Sequence, residues 1–217
     1  MEHLIMKYIQ PSFFENKVLP LLSFLYTDTM YGDQYDFYRI KDVLDQFSSS
    51  QFISKQWAVD EIQQFIDPQD SIAVIGGWYG LMSHMLAESG FTNEILDYEI
   101  DSVCIDFHDR LKVHDNVSIC HQDGFEMFDD KELNGKEKII ICTACEHIDE
   151  DDLYEYISIK NPYSRVLLQS NNMHDIDSHV NCHDSIDHFI ETLPEMKILY
   201  KGTKKIDDYE RYMVIAK

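Results

Sequence analysis

Ten consecutive residues constrain this chain more than any others: Ser71-Ile-Ala-Val-Ile-Gly76-Gly77-Trp78-Tyr79-Gly80. An apolar run of strand length ends in a glycine cluster, and a helical pattern through Leu81, Met82, Met85 and Leu86 follows at once. Strand, tight glycine turn and helix is how an open parallel α/β sheet begins a nucleotide site. Gly76 and Gly77 can take backbone angles closed to other residues and let a ligand lie against the main chain. The first turn of the next helix points unpaired N–H groups into the same space. Nineteen residues after Gly80, Glu99 stands near the end of a second apolar strand, Glu94 to Ile100. An acid about 20 residues beyond such a turn is placed to hold a ribose hydroxyl pair.

Strand and helix patterns alternate from Ser71 onward. Strands are expected at 72–76, 94–100, 117–120, 138–142 and 165–170, and helices at 79–89, 102–112, 150–159 and 184–193. The alternation implies a mostly parallel sheet with helices on both faces. The chain closes differently. Met196 to Tyr200, a polar link containing Gly202, and Tyr209 to Ala216 read as two strands joined by a short connection, an antiparallel pair at one edge. The run Asp149-Glu-Asp-Asp152 suits the acidic first turn of a helix.

Residues 1–70 read as a helical cap leaning on an α/β domain of residues 71–217. Ser12 to Leu25 is an apolar helix with Pro20 as a kink or boundary, Thr27 to Asp36 a tyrosine-rich turn region, and Tyr35 to Phe47 and Phe52 to Ile66 two further helices separated by Ser48-Ser-Ser50. The cap aromatics Phe13, Phe14, Phe24, Tyr26, Tyr31, Tyr35, Tyr38 and Trp57 either close over a ligand or pack.

Forty acids against eighteen bases give a net charge of −22. That field repels phosphate backbones and anionic lipid, which counts against nucleic acid and membrane surfaces as partners and leaves a small-molecule partner. No run of 18 apolar residues exists, and the N-terminus lacks the basic head and apolar core of a signal peptide, so a cytoplasmic protein is expected. Five scattered cysteines fit reduced, buried thiols.

Three later strand ends carry polar chemistry. Ile119-Cys-His-Gln-Asp123-Gly124 sets a carboxylate beside a glycine, able to accept from an adenine amino group or simply to shape a turn. The buried run 138–142 breaks into Cys142-Thr143-Ala144-Cys145-Glu146-His147. Ligands in open parallel sheets bind outside such carboxyl ends, so this segment borders the reaction space. After the run 166–170, Asn171 and Asn172 offer amide donors and acceptors to the same crevice, or cap their own turn.

With these residues in view, the chain resembles the class I S-adenosylmethionine-dependent methyltransferases over roughly residues 70–217. The loop Gly76, Gly77, Trp78, Tyr79, Gly80 corresponds to that family's first motif, Glu99 to the acid holding the cofactor ribose, and Asp123 with Gly124 to the adenine site. Residues 142–147, with Cys142 and Thr143 on the cofactor side, correspond to the fourth motif beside the donor methyl. The resemblance implies a Rossmann-like seven-stranded sheet, order 3-2-1-4-5-7-6, with an antiparallel last strand pair and S-adenosyl-L-methionine as cofactor. Ala73 and Val74 stand where the family commonly carries an acid, and the fourth motif is not the Asn/Asp-Pro-Pro-Tyr/Phe of enzymes that methylate bases.

Glu146 and His147 are the side chains expected at the acceptor, His147 as a proton acceptor and Glu146 to orient a cationic or amine group, with Cys145, Asn171, Asn172 and His179 lining the pocket. A capping pair for the helix at about 150 is the plainer reading of Glu146 and His147. No metal is required. Rival readings are aminocarboxypropyl transfer from the same cofactor, a non-catalytic nucleotide-binding protein, a nucleic-acid methylase with a local basic groove, a dithiol centre at Cys142 and Cys145, and a metal site among His174, His179, Cys182, His183 and His188.

Overall fold

A computed structural model describes residues 7–32, 37–128 and 138–217. Seven strands form one sheet among the described residues: β1 (Ile72–Ile75), β2 (Ile95–Glu99), β3 (Val117–His121), β4 (Ile139–Cys142), β5 (Arg165–Asn171), β6 (Ile198–Ile206) and β7 (Tyr209–Ala216). Their order is β3-β2-β1-β4-β5-β7-β6, as the resemblance implies. The first five run parallel, and β7 is antiparallel to both β5 and β6.

The helices are α1 (Pro11–Phe13), α2 (Leu19–Tyr31), α3 (Phe37–Gln46), α4 (Ser49–Ile62), α5 (Leu81–Glu88), α6 (Ser102–Leu111), α7 (Glu150–Ile159) and α8 (Ile186–Glu191). Alternate residues of β1 feed two cores. Ile72 and Val74 pack with α4, α5 and α6, while Ala73 and Ile75 pack with α7 and α8. That two-sided burial is why the strand reads as an uninterrupted apolar run. Tyr8, Ile9, Phe13, Leu21 and Leu25 belong to the first of these cores, so the N-terminal helices and the sheet share one interior. Helix α4 crosses that face toward β5 and β6. Ser54 Oγ donates to Gln169 Oε1 of β5 at 2.9 Å, and Trp57 Nε1 donates to the Tyr200 hydroxyl of β6 at 3.2 Å. Among the described residues no helix is long and apolar enough to cross a membrane.

Several expected boundaries move, each for a local reason. Between α1 and α2 the chain forms a π-helical turn, Phe14–Val18, ahead of Pro20. The proline ring cannot pass the carbonyl four residues back in a regular α-helix, and the wider turn accommodates it. Helix α2 runs through Thr27 to Tyr31, which removes most of the expected turn region; Tyr35 and the rest of 33–36 lie outside the described residues. Ser48 does not merely interrupt. It caps α4, its Oγ accepting from Gln51 N–H at 3.4 Å, so that Ser49 and Ser50 are helical. Strand β6 extends through the polar link to Ile206, because an edge strand tolerates lysines on its open side. The hairpin turns only at Asp207 and Asp208, with Asp207 at φ 51°. The acidic run at 149–152 opens α7 as expected, with Asp149 accepting from Asp151 N–H at 3.0 Å.

Candidate functional site

The carboxyl ends of β1 to β5 converge on one edge of the sheet, and the glycine loop stands at its centre. Gly76 and Gly77 both donate their N–H to the Tyr98 carbonyl, at 3.0 and 3.1 Å, so the loop continues the β1–β2 ladder before turning. Gly76 has φ +67° and open space where a side chain would begin. Trp78 is also left-handed, at φ 52°, a conformation costing a non-glycine residue about 1–2 kcal/mol. Its N–H donates to Glu99 Oε2 at 2.9 Å, while Glu99 Oε1 accepts from the N–H groups of Ile100 and Asp101 at 2.8 and 2.9 Å. Glu99 is thereby oriented at the mouth of the loop. Three of the roughly four acceptor positions of its carboxylate are taken, and the one left lies on Oε2. Gly80 begins α5 at φ +81° against the His108 ring. Tyr79 contributes only backbone to the loop. Its side chain is buried and stacks on Phe107 with centroids 5.9 Å apart, and burial pushes its phenol well above the usual tyrosine range.

Sequence reasoning missed the residue beneath this loop. Asp97 of β2 is fully buried, paired in register with Val74, and its carboxylate lies against Gly77. It accepts from Ser83 Oγ, and His108 Nδ1 lies 3.8 Å away. Burial pushes its pKa up to about 7, against the hydrogen bond from Ser83, with Glu99 adding to the rise. The strand places Asp97 and Glu99 two apart on one face, a pattern visible in the sequence once β2 is drawn. An acid therefore does sit beneath the glycine turn, supplied by β2 where Ala73 and Val74 of β1 lack one.

At the third strand end, Asp123 Oδ1 accepts from Phe125 N–H at 2.9 Å and opens a 3-10 turn, Gly124–Phe128. Gly124 is pressed on Ile75 and Tyr98, each 3.0 Å from where its Cβ would lie. Asp123 and Gly124 thus lie beside the ends of β1 and β2, next to the glycine loop.

The end of β4 is organised by a group that the sequence did not announce. Arg211 of β7 is buried opposite Asn171 of β5. It donates to Glu146 Oε1 at 2.5 Å and to the Thr143 carbonyl. Asn171 Nδ2 donates to the same Glu146 oxygen at 2.9 Å, and Asn171 Oδ1 accepts from Met173 N–H at 2.8 Å. Glu146 Oε2 is buried with no hydrogen-bond partner. The Glu146 carbonyl accepts from Val180 and Asn181 N–H, at 2.8 and 3.1 Å, which folds the segment after β5 back over the end of β4. His147 and His179 meet edge to face, ring centroids 4.6 Å apart. His147 Nδ1 lies 3.0 Å from the Ser178 carbonyl. A carbonyl only accepts, so Nδ1 carries the proton and Nε2 keeps a lone pair in the neutral ring. Glu146, His147 and His179 hold ligand atoms within 4.8 Å of one another and could together bind a cation.

Helix α7 is capped by Asp149, so the plainer reading of Glu146 and His147 as its cap does not hold. Asn172 turns to the sheet, its N–H donating to the Glu210 carbonyl and its Oδ1 accepting from Glu210 N–H. Cys142 and Cys145 are buried, and the Cys145 thiol, donating to the Cys142 carbonyl at 3.7 Å, is held protonated by burial. A dithiol redox centre needs an accessible thiolate. Of the remaining histidines, His183 stacks on Phe189 and His174 pairs with Asp184 at 3.1 Å. They do not share a helical face. From the cap, Lys55 of α4 is buried and donates to Gln51; burial, then the charge of Arg211, lowers its pKa to about 7, with Glu146 opposing. A lysine on the apolar stripe of an expected helix was its signal in the sequence.

The sheet order with its reversed β7 is the class I S-adenosylmethionine-dependent methyltransferase fold. The chain is similar to a methyltransferase of Anabaena variabilis that depends on this cofactor, with a TM-score of 0.58 and 12% identity over 74% of this chain and 82% of that one. It is similar along its whole length to magnesium protoporphyrin IX methyltransferase of Synechocystis, solved with bound S-adenosylmethionine, with a TM-score of 0.53 and 16% identity over 100% and 99% of the two chains. The tRNA methyltransferase TrmK of B. subtilis is also similar, at a TM-score of 0.51 and 12% identity over 73% of this chain and 64% of that one. No family model and no curated protein matches.

Proposed function

We propose that this protein binds S-adenosylmethionine along Gly76–Gly80, Glu99 and Asp123–Gly124 and transfers its methyl group to a small or medium-sized acceptor beside Glu146 and His147. The observation that carries the reading is the pairing of a strained glycine turn with an oriented Glu99, whose Oε2 holds Trp78 N–H at 2.9 Å and keeps one acceptor position for a ribose hydroxyl. The close backbone at Gly76, with no atom within 4 Å of a would-be Cβ, suits a ligand lying on the main chain.

The cofactor's sulfonium supplies an electrophilic methyl carbon. The protein's part is then alignment and a proton sink, and alignment alone can supply much of the rate. The unpartnered Glu146 Oε2 holds a donor group of the acceptor, with Arg211 and Asn171 keeping the other oxygen in place. The acceptor's lone pair would displace the methyl carbon from sulfur, the bonding pair staying on sulfur in S-adenosylhomocysteine, and His147 Nε2, in the tautomer set by the Ser178 carbonyl, would take the proton that the acceptor sheds. A chain of net charge −22 suits a small acceptor better than a nucleic acid.

Turnover tests the proposal. The protein, incubated with S-adenosylmethionine and panels of amine, hydroxyl and thiol compounds, is assayed for S-adenosylhomocysteine. Expected is acceptor-dependent S-adenosylhomocysteine that falls at least tenfold in Glu146→Gln and His147→Gln. Formation of methylthioadenosine instead would assign aminocarboxypropyl transfer, and methylation of RNA or DNA alone would move the acceptor class to nucleic acid.

A further inference from the structure

A second cluster of ligating side chains, distinct from Glu146, His147 and His179, gathers on α5. His84 and Glu88 stand four apart on that helix and so project from one face. His114 approaches them from the segment before β3. One ligand atom from each of the three lies within 4.8 Å of the others. His84 is only 8% exposed, and its Nε2 is buried with no hydrogen-bond partner. His114 Nε2 is buried too. It sits 3.2 Å from Glu88 Oε1 without the alignment of a hydrogen bond. Leaving a buried polar nitrogen unsatisfied is unfavourable. A small cavity of about 10 Å³ adjoins, bounded by both histidines, His108, Phe13 and Gly80 of the glycine loop. A void of that size has room for about one water.

We propose that His84, Glu88 and His114 form a site for a divalent transition-metal ion of the zinc kind, with water completing the coordination. Two imidazoles and one carboxylate favour zinc, cobalt, nickel or copper over magnesium or calcium, which take all-oxygen ligand sets. The ion satisfies the orphaned His84 nitrogen and ties α5 to the start of β3. It also secures the N-terminal helices, because the Phe13 ring lies on His84 with centroids 4.2 Å apart. The site stands whether or not the chain transfers methyl groups.

The test uses the full chain, stripped with a chelator and titrated separately with Zn²⁺, Co²⁺ and Mg²⁺, read by melting temperature and by the visible absorbance of bound Co²⁺. Zn²⁺ at a hundred times its dissociation constant should raise the melting temperature by roughly 5 °C or more. Co²⁺ should bind one to one with the absorbance of a four- or five-coordinate ion, and Mg²⁺ should do neither. Glu88→Gln, an exposed position that leaves the core alone, and His114→Gln should each weaken Co²⁺ binding at least tenfold. His179→Gln should not. Absence of a Zn²⁺ shift, or Co²⁺ binding that survives Glu88→Gln and is lost in His179→Gln, would overturn the assignment.

Discussion

Gly77 packs so closely on Asp97 that a Cβ on the glycine would lie 1.4 Å from Asp97 Oδ1. The glycine here answers to its neighbour rather than to its own backbone angles, whereas Gly76 answers to a φ of +67° and has open space around it. Two adjacent glycines in one loop are therefore required for different reasons.

The two positions should separate under substitution. Gly76→Ala meets no atom and should cost about 1–2 kcal/mol for its left-handed backbone. Gly77→Ala must displace a buried carboxylate or the loop itself, and should cost at least the ~1–3 kcal/mol of an overpacked core and abolish cofactor binding. Urea unfolding of the two variants checks the order; equal losses would mean the Asp97 contact is absent in solution.

Asp97 should leave a signature in the pH dependence of stability. Its pKa is raised from 3.8 to about 7 on folding, so between those values the folded state binds more protons than the unfolded one. Its contribution is greatest below about pH 4 and is lost as the pH rises through 7. Buried histidines oppose it: the pKa values of His108 and His183 are lowered to about 4, so their contribution grows from about pH 4 to 6.5. Asp97→Asn removes only the first effect. Relative to the parent, the variant should gain stability by a few kcal/mol between pH 4.5 and pH 8, measured by urea unfolding across that range. A pH-independent difference would contradict the raised pKa.

The Glu146–Arg211 pair is buried at both ends, with side chains 6% and 8% exposed. Removing one partner strands the other, and Arg211→Met should cost about 3–5 kcal/mol. Adding Glu146→Gln to that variant should recover part of the loss, because no uncompensated charge remains. A double variant less stable than Arg211→Met by the full cost of Glu146→Gln alone would show that the two side chains do not couple.

What could be read from the sequence follows from how local each signal is. Strands such as 72–75 and 139–142 are buried on both faces and announce themselves as apolar runs, and the glycine turn marks where the first one ends. The sheet order came from the family resemblance, since parallel neighbours carry no pairing code of their own. Glu99 and Glu146 stand at strand ends and were legible by position. Asp97 and Arg211 were not. Each is a charged residue inside a strand whose partners come from elsewhere in the chain: Ser83 is 14 residues from Asp97, and Glu146 is 65 from Arg211. The edge strand β6 was read too short because its lysines look like a loop until β7 lies beside them.

Calorimetric titration with S-adenosylmethionine, of the parent protein and of Glu99→Gln, tests the central claim most directly. The account predicts micromolar binding by the parent and at least a tenfold loss in the variant, with S-adenosylhomocysteine behaving alike. A folded parent protein that gives no binding heat, at concentrations where a micromolar complex would be evident, would contradict it.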